Sequence, residues 1–181
     1  MSKMLTDKHM QETSIVINDY IENNRLLDAK VVLHKELINY PTEYWLLTTL
    51  SNVYYELKDY KSALEYSGKA LNAEPSDYLV LNNHACILSV IEGKEKEAIE
   101  LLERIIFTDL NKVAYGNHGE GMRWAKSLVN DCRVRLALVY LSINKKAEAI
   151  KYLNEHLEKR EKGVFSNFLK KEIIKRKLAI K

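Results

Sequence analysis

The chain has 181 residues, 46% hydrophobic and 29% charged, with a formal net charge of +3. That balance belongs to a globular domain and excludes disordered and membrane-spanning classes, since no apolar run reaches the roughly 18 residues of a bilayer span. Two prolines and six glycines suit long helices and argue against a many-stranded sheet.

The charge is uneven. From Glu158 to the end nine Lys/Arg stand against three Glu, a net +6, which leaves −3 for residues 1–157. A basic tail can reach an acidic partner or nucleic acid, but it reads first as the solvated face of a terminal capping helix. Cys86 and Cys132 are isolated thiols on predicted helices, as in a reducing cytosol. The opening MSKMLTDKHMQETS lacks the apolar core of a secretory signal, so a cytoplasmic location is expected.

In chain order, Thr6-Asp7 is the expected cap of a first helix running to about Glu22, with Met10, Ile15, Val16, Ile17, Tyr20 and Ile21 in more than one apolar stripe. After the turn Asn23-Asn24, Arg25 to Asn39 reads as a helix burying Leu26, Ala29, Val32, Leu33, Leu37 and Ile38. Pro41 ends it. Thr42 is the expected cap of the next helix, to about Leu57, and Asp59 that of Tyr60–Ala73, closed by Pro75-Ser76. Ser76 or Asp77 caps a third pair near 78–91 and 95–108. Lys112 to Gly121 holds three of the six glycines and reads as a loop. Met122 to Ile143 is helical without a break, two turns longer than its counterparts, so Met122, Trp124, Ala125, Leu128 and Val129 need cover from the loop or a ligand. Lys145 to Lys159 is its partner. After Gly163, a helix over Ser166–Ala179 would use Phe165, Phe168, Leu169, Ile173, Ile174 and Leu178 to cover the last apolar edge.

A fixed spacing runs through these elements. A shift of 34 residues carries Tyr20 to Tyr54, Ala29 to Ala63, Leu37 to Leu71 and Pro41 to Pro75. Ala98 follows Ala63 by 35, and Leu136, Ala137, Tyr140, Ala149, Leu153 and Leu157 keep the same mutual spacing. Within Tyr44–Asp77, the residues Leu47, Leu50, Ser51, Tyr54, Ala63, Ala70 and Pro75 fall where the consensus W-x₂-L-G-x₂-Y…A-x₃-F…P places its large, small and turn residues. Ser67 departs from it, standing where a large apolar residue is usual, with Tyr66 beside it to supply the bulk.

The chain thus resembles the tetratricopeptide repeat family. The resemblance implies an all-α fold: a right-handed α–α superhelix of about four hairpins, spanning residues 7–43, 44–77, 78–110 and 122–160 of one domain, 1–181. An inserted loop at 111–121 and a C-terminal capping helix at 164–180 complete it. The first helix of each hairpin would line a concave groove. Its inward residues would be Gln11, Ser14, Asn18 and Glu22, then Trp45, Thr48, Thr49, Asn52, Tyr55 and Glu56. Leu79, Asn82, Asn83 and Cys86 would follow, then Asp131, Val134, Arg135 and Leu138. Asparagines both donate and accept, so Asn18, Asn52, Asn82 and Asn83 could hold an extended backbone without reading its sequence. Arg123 and Trp124, fed by the glycine-rich stretch, are of the types that dominate interface energies.

The resemblance implies binding of a partner polypeptide, without catalysis, cofactor or metal. Its slots for a cationic clamp on chaperone C-termini hold Ser14, Leu79 and Asn83, so that ligand is disfavoured. His118-Gly119-Glu120 lacks the P-C-x-x-C half of a zinc deaminase signature, and Gly116–Gly121 lacks the lysine of a phosphate loop. By analogy the partner is a toxin neutralised by an immunity protein, a secretion or assembly substrate of a chaperone or adaptor, or a second copy of the chain. A nucleic-acid factor using the basic helix is the reading from another class, and no membrane partner is expected.

Overall fold

The computed structural model describes residues 7–180, so Met4, Leu5 and a Thr6 cap lie outside the described residues. The helices are α1 Asp7–Glu22, α2 Leu26–Asn39, α3 Tyr44–Glu56, α4 Tyr60–Ala73, α5 Tyr78–Leu88, α6 Glu95–Ile106, α7 Leu110–Tyr115, α8 Met122–Ser142, α9 Lys146–Glu158 and α10 Lys170–Ala179. No strand occurs among the described residues. The helices gather into two compact units, one ending at Ser76 and the other beginning at Asp77.

The repeat is written into the backbone turns. Asn24, Lys58 and Asn144 take φ of 56°, 62° and 58° between the helices of three hairpins. In each, the next amide reaches back to a tyrosine carbonyl: Arg25 to Tyr20 at 2.7 Å, Asp59 to Tyr54 at 3.0 Å, Lys145 to Tyr140 at 2.8 Å. This left-handed residue with a back-reaching bond is how helices satisfy their last carbonyls. One turn later Ala29, Ala63 and Ala149 are fully buried. The α5–α6 turn reverses at Gly93 instead (φ 82°), yet Ala98 is buried as completely.

In the first unit α1 pairs with α2 and α3 with α4. Ile17, Ala29, Leu33, Leu46, Leu50 and Val53 form the core. Ser67 is buried with its hydroxyl on the Leu64 carbonyl, and Tyr66 stacks on Tyr54 at 5.4 Å, supplying the bulk that Ser67 lacks. Two expectations are corrected. Ile38 is 80% exposed, and Ile15 and Val16 also face out. Glu43, not Thr42, precedes α3, and no side chain caps that end. Asp59 does cap α4, accepting from the Ser62 amide.

In the second unit α5 pairs with α6 and α8 with α9, while α6 and α7 pack on α8 and α10 on α9. Asp77 caps α5 through the Leu79 and Val80 amides. The stretch expected as a loop opens as helix α7, because the Asp109 carboxylate accepts from the Asn111 and Lys112 amides. Val113 and Ala114 are buried, and Ala125, Leu128 and Val129 are covered. The chain then returns tightly: a side chain at Gly119 would collide with the Ala114 carbonyl, and the Gly121 amide (φ 93°) bonds that same carbonyl at 2.9 Å. The last helix begins at Lys170, not Ser166. Ile173 is buried and Phe168 half-buried against His156, while Phe165, Leu169, Ile174 and Leu178 are exposed, so the expected cover is made in part.

Candidate peptide-binding surfaces

Successive positions three and four apart share one helix face. Trp45, Thr48, Asn52 and Tyr55 therefore form one stripe along α3. Trp45 is half-buried against the first unit's core, Asn52 is exposed, and Tyr55 tilts on Tyr60 with ring centroids 5.6 Å apart. Thr48 is buried, and its hydroxyl has no hydrogen-bond partner among the described residues. A buried hydroxyl left so costs about 1–3 kcal/mol. Asn18 is exposed on α1, one residue after the core residue Ile17.

The second unit treats its predicted residues differently. Asn82 and Asn83 are buried, not presented to solvent. The Asn82 amide oxygen accepts from the thiols of Cys132 at 3.4 Å and Cys86 at 3.8 Å. Burial pushes both thiols above their ordinary range, so they stay protonated and weakly nucleophilic. Arg123 is exposed and Trp124 half-buried at the start of α8.

Arg135 is engaged by the chain itself. Its guanidinium lies over the Phe168 ring, 5.7 Å from the centroid, while its Nε is buried without a hydrogen bond. Beside it the buried Asp131 carboxylate accepts from Ser166 Oγ at 2.6 Å and from the Asn167 amide and side-chain nitrogens at 2.8 and 2.9 Å. Arg160 Nη1 donates to the Phe168 carbonyl at 2.8 Å. A strap after Gly163 thus occupies this part of α8. The sequence names Asp131 and Arg135 as groove-facing; a partner 35 residues away leaves no local pattern to read.

A cleft of about 430 Å³ lies at the ends of α6 and α9, lined among others by Ile106, Leu110, Lys126, Asn130, Arg133 and Glu161. Asn130 Nδ2 donates to the His156 carbonyl, whereas its oxygen has no partner among the described residues. Arg133 Nε stands 3.5 Å from Glu155 Oε2, an ion pair without hydrogen-bond alignment. Burial lowers the pKa of this guanidinium, with Glu155 opposing the shift. Sequence reasoning missed this cleft, because its walls come from separate elements and Asn130 and Arg133 form no local motif. Among the described residues no group of three or more His, Cys, Asp or Glu could hold a metal.

The fold and the sequence both have counterparts. A tetratricopeptide repeat model matches residues 46–77 and 131–158. The chain carries tetratricopeptide repeats. The two matched segments share one further feature, a stacked tyrosine pair: Tyr54 on Tyr66 and Tyr140 on Tyr152, nearly parallel at 5.4 and 5.8 Å. Tetratricopeptide repeats are protein-interaction scaffolds, and the all-α hairpin fold recurs in solved structures. Pseudomonas aeruginosa PilF is similar at 22% identity with a TM-score of 0.71, over 96% of this chain and 68% of that one. MamA of strain RS-1, as a double mutant, is similar at 16% identity and a TM-score of 0.60, over 86% and 77%. PilW, a type IV pilus biogenesis factor, is similar at 13% identity and a TM-score of 0.54, over 85% and 79%. At these identities the likeness is one of fold. No curated protein matches the sequence. No helix among the described residues is long and apolar enough to cross a membrane.

Proposed function

We propose that this tetratricopeptide chain is a non-catalytic binder of a partner polypeptide, with the α3 stripe of Trp45, Thr48, Asn52 and Tyr55 as the principal contact. The observation that carries the reading is the exposed Asn52 on that stripe, flanked by the half-buried rings of Trp45 and Tyr55. The Asn52 amide and that of the exposed Asn18 both donate and accept, so they could take backbone groups of a bound segment. Arg123 and Trp124 form a second contact at the start of α8, and Asn82 and Asn83 contribute by fixing α5 rather than by touching the partner.

The finer reading is occlusion of a toxin by an immunity protein, in a reducing cytosol where Cys86 and Cys132 stay free. It is supported by the Asp109-capped α7, which packs on α8, the helix whose first turn carries Arg123 and Trp124; stoichiometric occlusion rewards a surface ordered in advance. An adaptor for an assembled or secreted protein is the second reading, favoured by the likeness to PilW, a pilus biogenesis factor.

The test is affinity capture by the purified chain from its source cells, comparing wild type with Asn18→Ala/Asn52→Ala. Both side chains are exposed, so the variant keeps the fold. Loss of one stoichiometric partner is the expected result. Equal recovery of the same partners by both proteins would refute the α3 surface.

A further inference from the structure

The C-terminal helix leaves apolar and basic side chains together in water. Phe165 is 71% exposed, Leu169 51%, Ile174 38% and Leu178 66%, whereas Ile173 is 1% exposed. Ile173 and Lys177, one turn apart, fix which side of α10 meets the body of the unit: the first is buried, and Lys177 Nζ donates to Asn154 Oδ1 on α9 at 2.9 Å. At 3.6 residues per turn, Lys170, Lys171, Ile174, Lys175 and Leu178 share an arc of about 140° that turns away from Ile173. Glu172, the helix's single acid, falls outside that arc. Lys170, Lys171, Lys175 and Arg176 are exposed, and none forms an ion pair among the described residues.

We propose that this face of α10 docks on an anionic bilayer surface, with the lysines at the headgroup phosphates and Ile174 and Leu178 just beneath them. Two features select this occupant. The cations are unneutralised, and each one near an anionic leaflet adds attraction. The apolar pair lies between Lys170 on one side and Lys171 and Lys175 on the other, the arrangement that an interface, polar above and apolar below, rewards in both parts at once. A nucleic-acid backbone would satisfy the lysines and leave Ile174 and Leu178 in water.

The experiment is co-sedimentation of the full chain with phosphatidylcholine vesicles, with and without about 30 mol% phosphatidylglycerol. The expected result is at least tenfold stronger binding to the anionic vesicles, weakening as salt rises. Lys170→Gln/Lys171→Gln/Lys175→Gln should lower that binding about a hundredfold. Ile174→Ser/Leu178→Ser should lower it about tenfold or more, with an unchanged melting temperature because both side chains are exposed. Equal binding to neutral vesicles, no binding at low salt, or indifference to the Ile174/Leu178 change would overturn the proposal. So would tighter binding to a single-stranded RNA oligonucleotide that ignores Ile174 and Leu178.

Discussion

Replacing Asp131 by alanine should loosen the C-terminal strap and destabilise the chain by about 3 kcal/mol. The carboxylate is buried and accepts three hydrogen bonds from Ser166 and Asn167. Bonds to a charged group contribute about 1.5–3 kcal/mol each when their donors stay buried. Here Asn167 is exposed and Ser166 half-buried, so the freed donors find water and about 1 kcal/mol each is the better figure. For a chain of this size each kcal/mol moves the melting temperature by about 2–4 °C, so the drop should be about 6–12 °C. Ile173 and the half-buried Phe168 still hold the segment, so the strap should loosen rather than detach. Limited trypsin digestion should therefore cut faster within Lys170–Lys177 in the variant. Asp131→Asn, which keeps an acceptor oxygen, should fall between the two proteins. A variant with unchanged melting and an unchanged cleavage rate would show that Asp131 does not secure the strap.

Three further outcomes are expected. Ala63→Leu should cost about 1–3 kcal/mol in urea denaturation, because Ala63 is fully buried where α3 and α4 meet; a neutral result would mean the hairpin has slack there. Thr48→Val removes a buried hydroxyl that has no partner, so it should leave stability equal or raised by about 1 kcal/mol; a clear destabilisation would mean the hydroxyl is satisfied after all. Acidification should destabilise the chain through His156, whose Nδ1 donates to the Asn130 carbonyl at 3.0 Å while Nε2 accepts from Arg160 at 3.3 Å. Burial holds its pKa below the ordinary 6.5, so the unfolded chain gains a proton that the folded one refuses. Stability is thus complete above about pH 6.5 and declines below it. His34 and His84 are shifted downward by burial too. His156→Gln should flatten part of the decline in the urea midpoint between about pH 7 and 5, and an unaltered profile would assign the effect elsewhere.

Much of the fold was legible because the repeat places small and turn-forming residues at steric bottlenecks. Ala29, Ala63 and Ala98 recur at intervals of 34 and 35 residues, Ala149 follows the insertion, and all four are fully buried. Asp59 and Asp77 cap the helices that follow them, a local chemistry any sequence displays. Composition hid α7. Three glycines in ten residues read as loop, yet two of them serve the return after the helix, and Asp109 begins it. The length of α10 was misread for a related reason: Ser166 and Asn167 look like a helix start but spend their donors on Asp131.

The site was legible only as far as helix faces go. Spacing fixes which residues share a side of a helix, as it does for Trp45, Thr48, Asn52 and Tyr55 on α3. It does not fix what stands opposite. Asn82 and Asn83 occupy groove positions by register, but α8 runs 21 residues and packs against α5, bringing Cys132 to within 3.4 Å of the Asn82 oxygen. Arg135 likewise holds its position on α8 and finds Phe168 there. A side chain's role follows from whether its polar atoms are already committed. By that measure Asn82 belongs to the protein's interior, whereas the exposed amides of Asn18 and Asn52 stay open to a partner.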